Sequence, residues 1–553
     1  MTDTWACNSN QATYLQLGPT TNNHSSGTVF HPEFTYPIFG EAETIYGYRD
    51  LRIQLGFTTG SLRPHLLIRW AKSKANSVGT SAEASGSSNK QQGQNGDAGE
   101  ASNKLMDPVQ KTLLEYLPKP VSENRANPQQ GETFVAQDET SWKQAFQAAQ
   151  QNDAKGFRPI GEKVATWSIP SSQGSKGKKT SGSSTSQRHF EVYRCTWDTP
   201  GFQAYHQRFR IFTLFYIEAA SYIDEEEPGW EFLVLYERST PAPSSSSTES
   251  ATEQYHFAGF TSLYRFWTWP DSSRIRLSQF LILPPFQKLG LGTRLYTLVH
   301  DWVLLREEET NEAAGEQTTW RVSELTVEDP SELFDRLRDG ADIKRLLQPE
   351  TLPPVPLFAN SNGSSSSLSK GEKARLTLVA DAVKEGKLMA PLDLAWSEQT
   401  RKAYKIAPRQ WSRLIEMIQL LLLSSAVEEG DEGRAQFEAM SKAFRLQVKA
   451  RLYKHNRDVL IQMEPDERKR KLQETYENLL EHDYAELIGV DVDPFLPADR
   501  TAGPDGSDEE EEDGEEVYGV SKGTAGSSGR GTIRKGNDQA QNGGPPSKVA
   551  RFA

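Results

Sequence analysis

Cysteine is almost missing from this chain: Cys7 and Cys195 are the only two in 553 residues, far apart and without Cys-x-x-Cys spacing. That excludes a disulfide framework and a cysteine-built zinc site, and it fits a reducing, intracellular compartment. Long hydrophobic runs are missing too. The most apolar stretch, residues 414–427, is broken by Glu416 and falls short of the ~20 residues a bilayer span requires. The amino terminus, MTDTWACNSN, has neither the basic nor the apolar region of a secretory signal, so a soluble protein is expected. The histidines show no HExxH spacing, and no GxSxG elbow stands between a strand and a helix.

Basic residues are in deficit, 62 Lys and Arg against 75 Asp and Glu, for a net charge of -13 and a pI near 5.4. This argues against a nucleic-acid partner gripped through phosphates and favours a basic partner, provided the acids converge on a site. Part of the charge lies in residues 508–516, which read equally well as a solvated tail. Apolar residues are scarce in five stretches, 73–104, 171–187, 240–253, 360–370 and 502–553, which read as disordered or loop inserts. At ~150 residues per domain the length allows three or four domains; without the inserts it holds two or three.

What remains is patterned. Residues 34–70 alternate strand and turn, as in an amino-terminal α/β domain. Strands are expected at 189–197, 230–237, 255–269, 274–283 and 322–327, with a helix over 292–306. Phe202, Tyr205, Phe209, Phe212 and Tyr216 recur at the period of one helix with a buried face. Together these predict an α/β (α+β) domain with a crossover connection. Further on, Trp411, Leu414, Ile415, Ile418 and Leu422, then Phe444, Val448 and Leu452, then Leu472, Tyr476 and Leu479 mark three helices of a small helical domain.

One segment carries chemistry. The apolar strand Phe280-Leu281-Ile282-Leu283 stops at Pro284-Pro285, and Gln287-Lys288-Leu289-Gly290-Leu291-Gly292-Thr293 leads into a helix. Such a loop is either an ordinary turn or a diphosphate cradle, in which glycines let backbone amides approach the phosphates and the helix start supplies unpaired N–H groups. The proline pair ends hydrogen bonding along one strand edge and can splay the neighbouring strand.

FLILPPFQKLGLGTRLYTLVHD resembles the coenzyme A loop of the GNAT acetyltransferase superfamily, with its Gln or Arg, two residues, Gly, one residue, Gly or Ala. Within that superfamily it resembles the type B histone acetyltransferase catalytic subunits, in a fungal-like form with long inserts. SELTVEDPSELFDRLRD (323–339), FTYPIFGEAETIYGYRDLRI (34–53) and FYIEAASYID (215–224) are similar to further parts of that family, in the same order. The resemblance covers about residues 32–486. It implies a GNAT fold with an amino-terminal α/β domain (1–185), an acetyl-CoA-binding domain (186–345), a helical domain (371–495) and an acidic tail (502–553).

The resemblance also implies an activity, transfer of acetyl from acetyl-CoA to lysines in the amino-terminal tail of new histone H4, held with H3, and of histone two A as a further substrate. A lysine amine with a pKa near ~10.4 must lose a proton before it attacks. Glu328 stands between a predicted strand and the turn Asp329-Pro330, which suits a general base, and the family implies the same role. Glu218 and Asp329 match acidic positions around the substrate lysine, though each is equally a helix-end or turn acid. Phe280, Leu281 and Ile282 would meet the pantetheine, Gln287 to Thr293 the pyrophosphate, and Ser331 a further part of the cofactor. A later contact falls at Gly340, which has no side chain. Glu41, Ala42 and Glu43 with Tyr264, Arg265 and Phe266 match the histone-tail contacts, and Asp224 to Glu227 would add steering charge or merely a solvated surface. The insert 307–320 lengthens a loop. A WD-repeat β-propeller chaperone is the implied partner, the implied compartments are cytoplasm and nucleus, and no metal, nucleic acid or membrane is expected. The competing readings are an inactive histone-binding scaffold and an acetyltransferase for another amine.

Overall fold

A computed structural model of the chain describes residues 5–18, 29–74, 106–119, 132–170, 187–240, 253–269, 272–313, 321–327, 329–348, 370–425 and 431–496. Most of the five predicted inserts, including the acidic run 508–516, lies outside the described residues. The chain divides into two compact units, one of residues 1–341, 350–373 and 402–407, the other of 342–349, 374–401 and 408–553.

Among the described residues the first unit holds two main sheets and two short two-stranded ribbons, Ala6–Asn8 with Thr44–Tyr46 and Tyr48–Arg49 with Lys72–Ser73. The smaller main sheet contains β1 (Thr13–Leu17), β2 (Val29–Phe30), β3 (Arg52–Phe57), β4 (Pro64–Arg69) and β5 (Phe134–Val135) in the order β2-β1-β3-β4-β5. Helix α1 (Glu139–Gly156) packs on it, capped by the Asp138 carboxylate, which accepts from the Thr140 and Ser141 amides. The stacked rings of Trp142 and Phe146 lie over Gly56, where a Cβ would come within 2.7 Å of the indole. Sequence periodicity missed this helix because these two are its only large apolar side chains.

The larger sheet runs in chain order: β6 (Glu162–Pro170), β7 (Gln187–Thr196), β8 (Trp230–Ser239), β9 (Gln254–Thr268), β10 (Ser272–Ile282) and β11 (Arg321–Val327). Pairing is antiparallel as far as β10 and parallel between β10 and β11. A parallel pair needs a crossover, supplied by helix α4 (Leu291–Ala313), which carries the chain back along the sheet. This helix continues into the first seven residues of the predicted insert 307–320, and the remainder, 314–320, lies outside the described residues.

The aromatic stripe forms two helices, α2 (Phe202–Phe209) and α3 (Ile211–Tyr216), rather than one. The Thr213 amide bonds to the Arg210 carbonyl three residues back, a tightened turn that keeps both Phe209 and Phe212 facing inward. Phe209 meets Phe257 and Phe260 of β9, while Phe212 meets Phe57 of the smaller sheet. These rings are fully buried, each worth roughly 1.5–3 kcal/mol in transfer from water, and they join the two sheets into one core.

The second unit is helical. Helix α6 (Pro408–Ser425) buries Trp411, Leu414, Ile415 and Ile418, and α7 (Asp431–His455) buries Phe444, Val448 and Leu452. After α8 (Pro465–Asn478), a π-helical turn at Leu479–Tyr484 shifts the inward face, so Leu480 rather than the expected Leu479 is buried beside Tyr476 and Tyr484. Glu416, nearly inaccessible, accepts two bonds from Arg451 (2.6 and 2.8 Å) and one from the Tyr484 hydroxyl (2.8 Å).

Candidate active site at the end of the parallel strands

Strands β10 and β11 pair from Ser272↔Arg321 to Leu277↔Val327, with a shift of register that leaves Ser323 unmatched, and the registered pairing ends there. On its other side β10 remains paired with β9 to Gly259↔Ile282, after a bulge that leaves Ser278 unmatched. Phe280, Leu281 and Ile282 therefore have one edge without a registered strand among the described residues. The registered pairing with β11 ends at Leu277, seven residues before Pro284 and next to the bulge at Ser278.

Beyond this edge Pro284–Phe286 makes a 3-10 turn, and the Gln287 amide side chain folds back to the Ile282 carbonyl at 2.9 Å. Lys288 (φ 60°) and Gly290 (φ 72°) both take left-handed backbone, which turns successive amides of the loop before Leu291 opens α4. Gly292 lies against Leu337 of helix α5 (Glu332–Leu347), and a Cβ there would approach Leu337 Cδ1 to 2.7 Å. The Ser331 hydroxyl accepts from the Phe334 amide at 3.3 Å, as a cap of α5. Phe334 in turn packs edge-on against Phe280 and Tyr296, closing the floor beside the open strand edge. Loop, helix start and free edge fit an elongated molecule with a phosphate end, and Leu289, Leu291 and Thr293 complete that loop.

Glu328 lies outside the described residues, bracketed by Val327 and the exposed Asp329. Asp329 has φ 45°, a left-handed conformation that turns the chain sharply off the strand. Other predicted residues converge on this end of the sheet through register and hydrogen bonds. Tyr264 pairs with Arg276, which pairs with Thr326, so Tyr264 stands two strands from β11 at the level just before its end. Tyr264 also packs on Trp230 and Phe266, and the Arg276 guanidinium covers the Phe266 ring at 4.6 Å; Arg265 beside them is exposed. Gln279 donates to the Ser221 carbonyl at 3.1 Å, fastening the loop that carries Glu218 to the open part of β10.

Glu218 is exposed, in the turn just after α3 and not within it. The next residue, Ala219, donates its amide to the Tyr36 hydroxyl, and the Tyr36 amide donates to Glu43 Oε1. The two acidic turns thus meet through Tyr36. Glu41 and Ala42 are exposed, whereas the Glu43 carboxylate is engaged, accepting from Thr35 N (2.7 Å), Tyr36 N (3.1 Å) and Asn10 Nδ2 (2.7 Å). Its fixed position makes Glu43 a brace for the turn.

Within the acidic run, Glu225 is likewise engaged. His206, 3.9 Å away, with Gln207, Arg210 and Gln203, holds the Glu225 carboxyl at about 2 against the opposing effect of burial. Burial pushes His206 below its ordinary value, so its ring is neutral at neutral pH and Arg210, at 3.0 Å, supplies the charge. Asp224, Glu226 and Glu227 are exposed. Burial raises the Cys195 thiol to about 12, the reverse of what a nucleophilic cysteine needs. Among the described residues no group of side chains could hold a metal ion, and no helix is long and apolar enough to cross a membrane.

One element of the site was not foreseen. Residues 402–407 run alongside β11, where the Leu325 amide bonds to the Lys405 carbonyl at 2.7 Å and Leu325 bridges Ile406 in parallel. The sequence hint was slight: Tyr404 and Ile406 alternate about Lys405, too short a run to count as a strand.

The chain is similar to known proteins along its whole length. Residues 5–218 match the family model described as histone acetyl transferase HAT1 N-terminus, and residues 376–425 match fungal HAT1, C-terminal. A histone acetyltransferase type B catalytic subunit of Mycosarcoma maydis is 38% identical over the full length of both chains. One of Cryptococcus neoformans is 34% identical, covering 88% of this chain and 98% of its own, and one of Candida albicans is 29% identical, covering 88% and 90%. With full-length identity of this order, a mixed α/β sheet followed by helices, and a glycine loop at a parted strand, the chain belongs to the type B histone acetyltransferase catalytic subunits and is an acetyltransferase.

Proposed function

We propose that this chain acetylates lysines in the amino-terminal tail of newly made histone H4, presented with H3, before deposition in chromatin. Histone two A is a secondary substrate on the same reading. Acetyl-CoA supplies the thioester whose acetyl group moves. Phe280 to Ile282 hold its pantetheine arm along the free strand edge, residues Gln287 to Thr293 turn amides to the pyrophosphate, and Ser331 adds a hydroxyl. Glu328 takes the proton from the lysine amine as the new N–C bond forms and the C–S bond breaks. Glu218, Asp329 and Glu41 attract the basic tail, while Tyr264 and Phe266 offer it an aromatic wall. A β-propeller chaperone with WD repeats is the proposed partner, and cytoplasm and nucleus are the proposed compartments.

The single observation behind this reading is that the open β10 edge, the loop after α3 that carries Glu218 and the last described residues of β11 lie toward the same end of the strands. Mass spectrometry of H4 after incubation with acetyl-CoA tests it: acetyl on tail lysines is expected, and equal rates on a scrambled basic peptide would remove the histone assignment. Binding without transfer would make the chain a scaffold. Glu328→Gln should lower kcat at least ~100-fold, the range of general-base catalysis, with acetyl-CoA affinity nearly kept.

A further inference from the structure

The larger sheet would end at β11, an edge strand, but for residues 402–407. Edge strands fray, and this one ends at Val327, the residue before the proposed base in the sequence. The Leu325 amide, three residues before Glu328, is taken by the Lys405 carbonyl at 2.7 Å. One residue earlier in the same segment, the Tyr404 carbonyl lies 2.7 Å from His300 Nε2. A carbonyl only accepts, so the ring donates from Nε2. His300 is wholly buried on α4, the helix that opens from the glycine loop. Tyr404 and Ile406 are buried as well, and Lys405 between them has φ 56°, the left-handed turn through which consecutive carbonyls reach two different elements.

We propose that Tyr404–Lys405–Ile406 is a positioning clamp for acetyl transfer, tying the strand that carries the base and the helix that carries the cofactor loop to one short piece of chain. The proposal rests on the assignments of Glu328 and of residues 287–293 made above. Carboxylate and thioester come from separate elements, and a misplacement of about 1 Å between them is worth on the order of 100-fold in rate. The clamp sets that separation and touches neither ligand, so loosening it acts on kcat more than on either binding step.

Lys405 offers a clean handle, because glycine accepts its left-handed backbone and a β-branched residue does not. Lys405→Gly and Lys405→Val are compared with His300→Gln, which keeps a donor, and His300→Leu, which removes it. Each is assayed with acetyl-CoA and an H4 tail peptide for kcat, KM, acetyl-CoA affinity and thermal midpoint, alongside Glu328→Gln. The valine and leucine variants should lose about 10- to 100-fold in kcat with KM and cofactor affinity within about twofold, and the glycine and glutamine variants should keep most of the rate. A wild-type kcat in Lys405→Val, or losses of rate that merely follow loss of cofactor binding and folded protein, would overturn the clamp. If the valine variant does not fold, equal kcat in His300→Leu and His300→Gln overturns it instead. Full activity in Glu328→Gln would refute the base assignment, whereas an inactive Glu328→Gln beside a normal Lys405→Val refutes only the clamp.

Discussion

Single residues show how the chemistry of a side chain is redirected by its neighbours. Glu43 and Glu225 look in the sequence like any acids beside a basic substrate, yet both carboxylates accept internal hydrogen bonds that hold turns in place. For Glu225 the consequence can be measured. Its carboxyl titrates near 2 in the folded protein against an ordinary 4.5, so its stabilising effect is complete above about pH 4.5 and fades as pH falls toward 2. Glu225→Gln should cost roughly 1.5–3 kcal/mol in denaturant unfolding at neutral pH, the scale of hydrogen bonds to a charged group, and the gap from wild type should close in acid. A gap that persists unchanged below pH 3 would show that packing, and not the charge, is responsible.

Elements show how far local pattern reaches. The strands at 230–237, 255–269, 274–283 and 322–327 were legible because they are short runs rich in β-branched, aromatic and other apolar residues, with alternating burial in β10, and each observed strand lies within two residues of expectation. The turn at Gly290 was legible because glycine takes a positive φ without steric cost. Gly290→Val should therefore weaken acetyl-CoA binding at least ~10-fold by calorimetry, since a β-branched residue at φ 72° costs on the order of 1–3 kcal/mol or rearranges the amides. Normal affinity in that variant would mean that the loop amides do not hold the phosphates. Helix α1, with two large apolar residues in eighteen, left no such trace, and the division of the aromatic stripe at Arg210 depends on a single tightened turn.

For the whole molecule, the proposed encounter with a basic tail turns on charge. The chain carries -13, and Glu41, Glu218, Asp224, Glu226 and Glu227 are exposed in turns tied to the open end of the sheet. On the proposed function, a basic tail approaching this face would be steered over a screening length of about 10 Å at 0.1 M salt. Raising salt from 0.05 to 0.5 M should raise KM for the H4 peptide several-fold with little change in kcat, and a flat KM would place the peptide elsewhere.

The sequence alone determined most strands of the larger sheet and the turn into a helix at residues 287–293, because backbone sterics and strand composition act over a few residues. It also carried enough family likeness to announce an acetyltransferase. Only the tertiary structure decided which acids face solvent, where β10 and β11 part, and that residues 402–407 close the sheet beside Leu325. Those are long-range pairings, set by which surfaces become buried together once the chain has folded, and no local window of residues contains them.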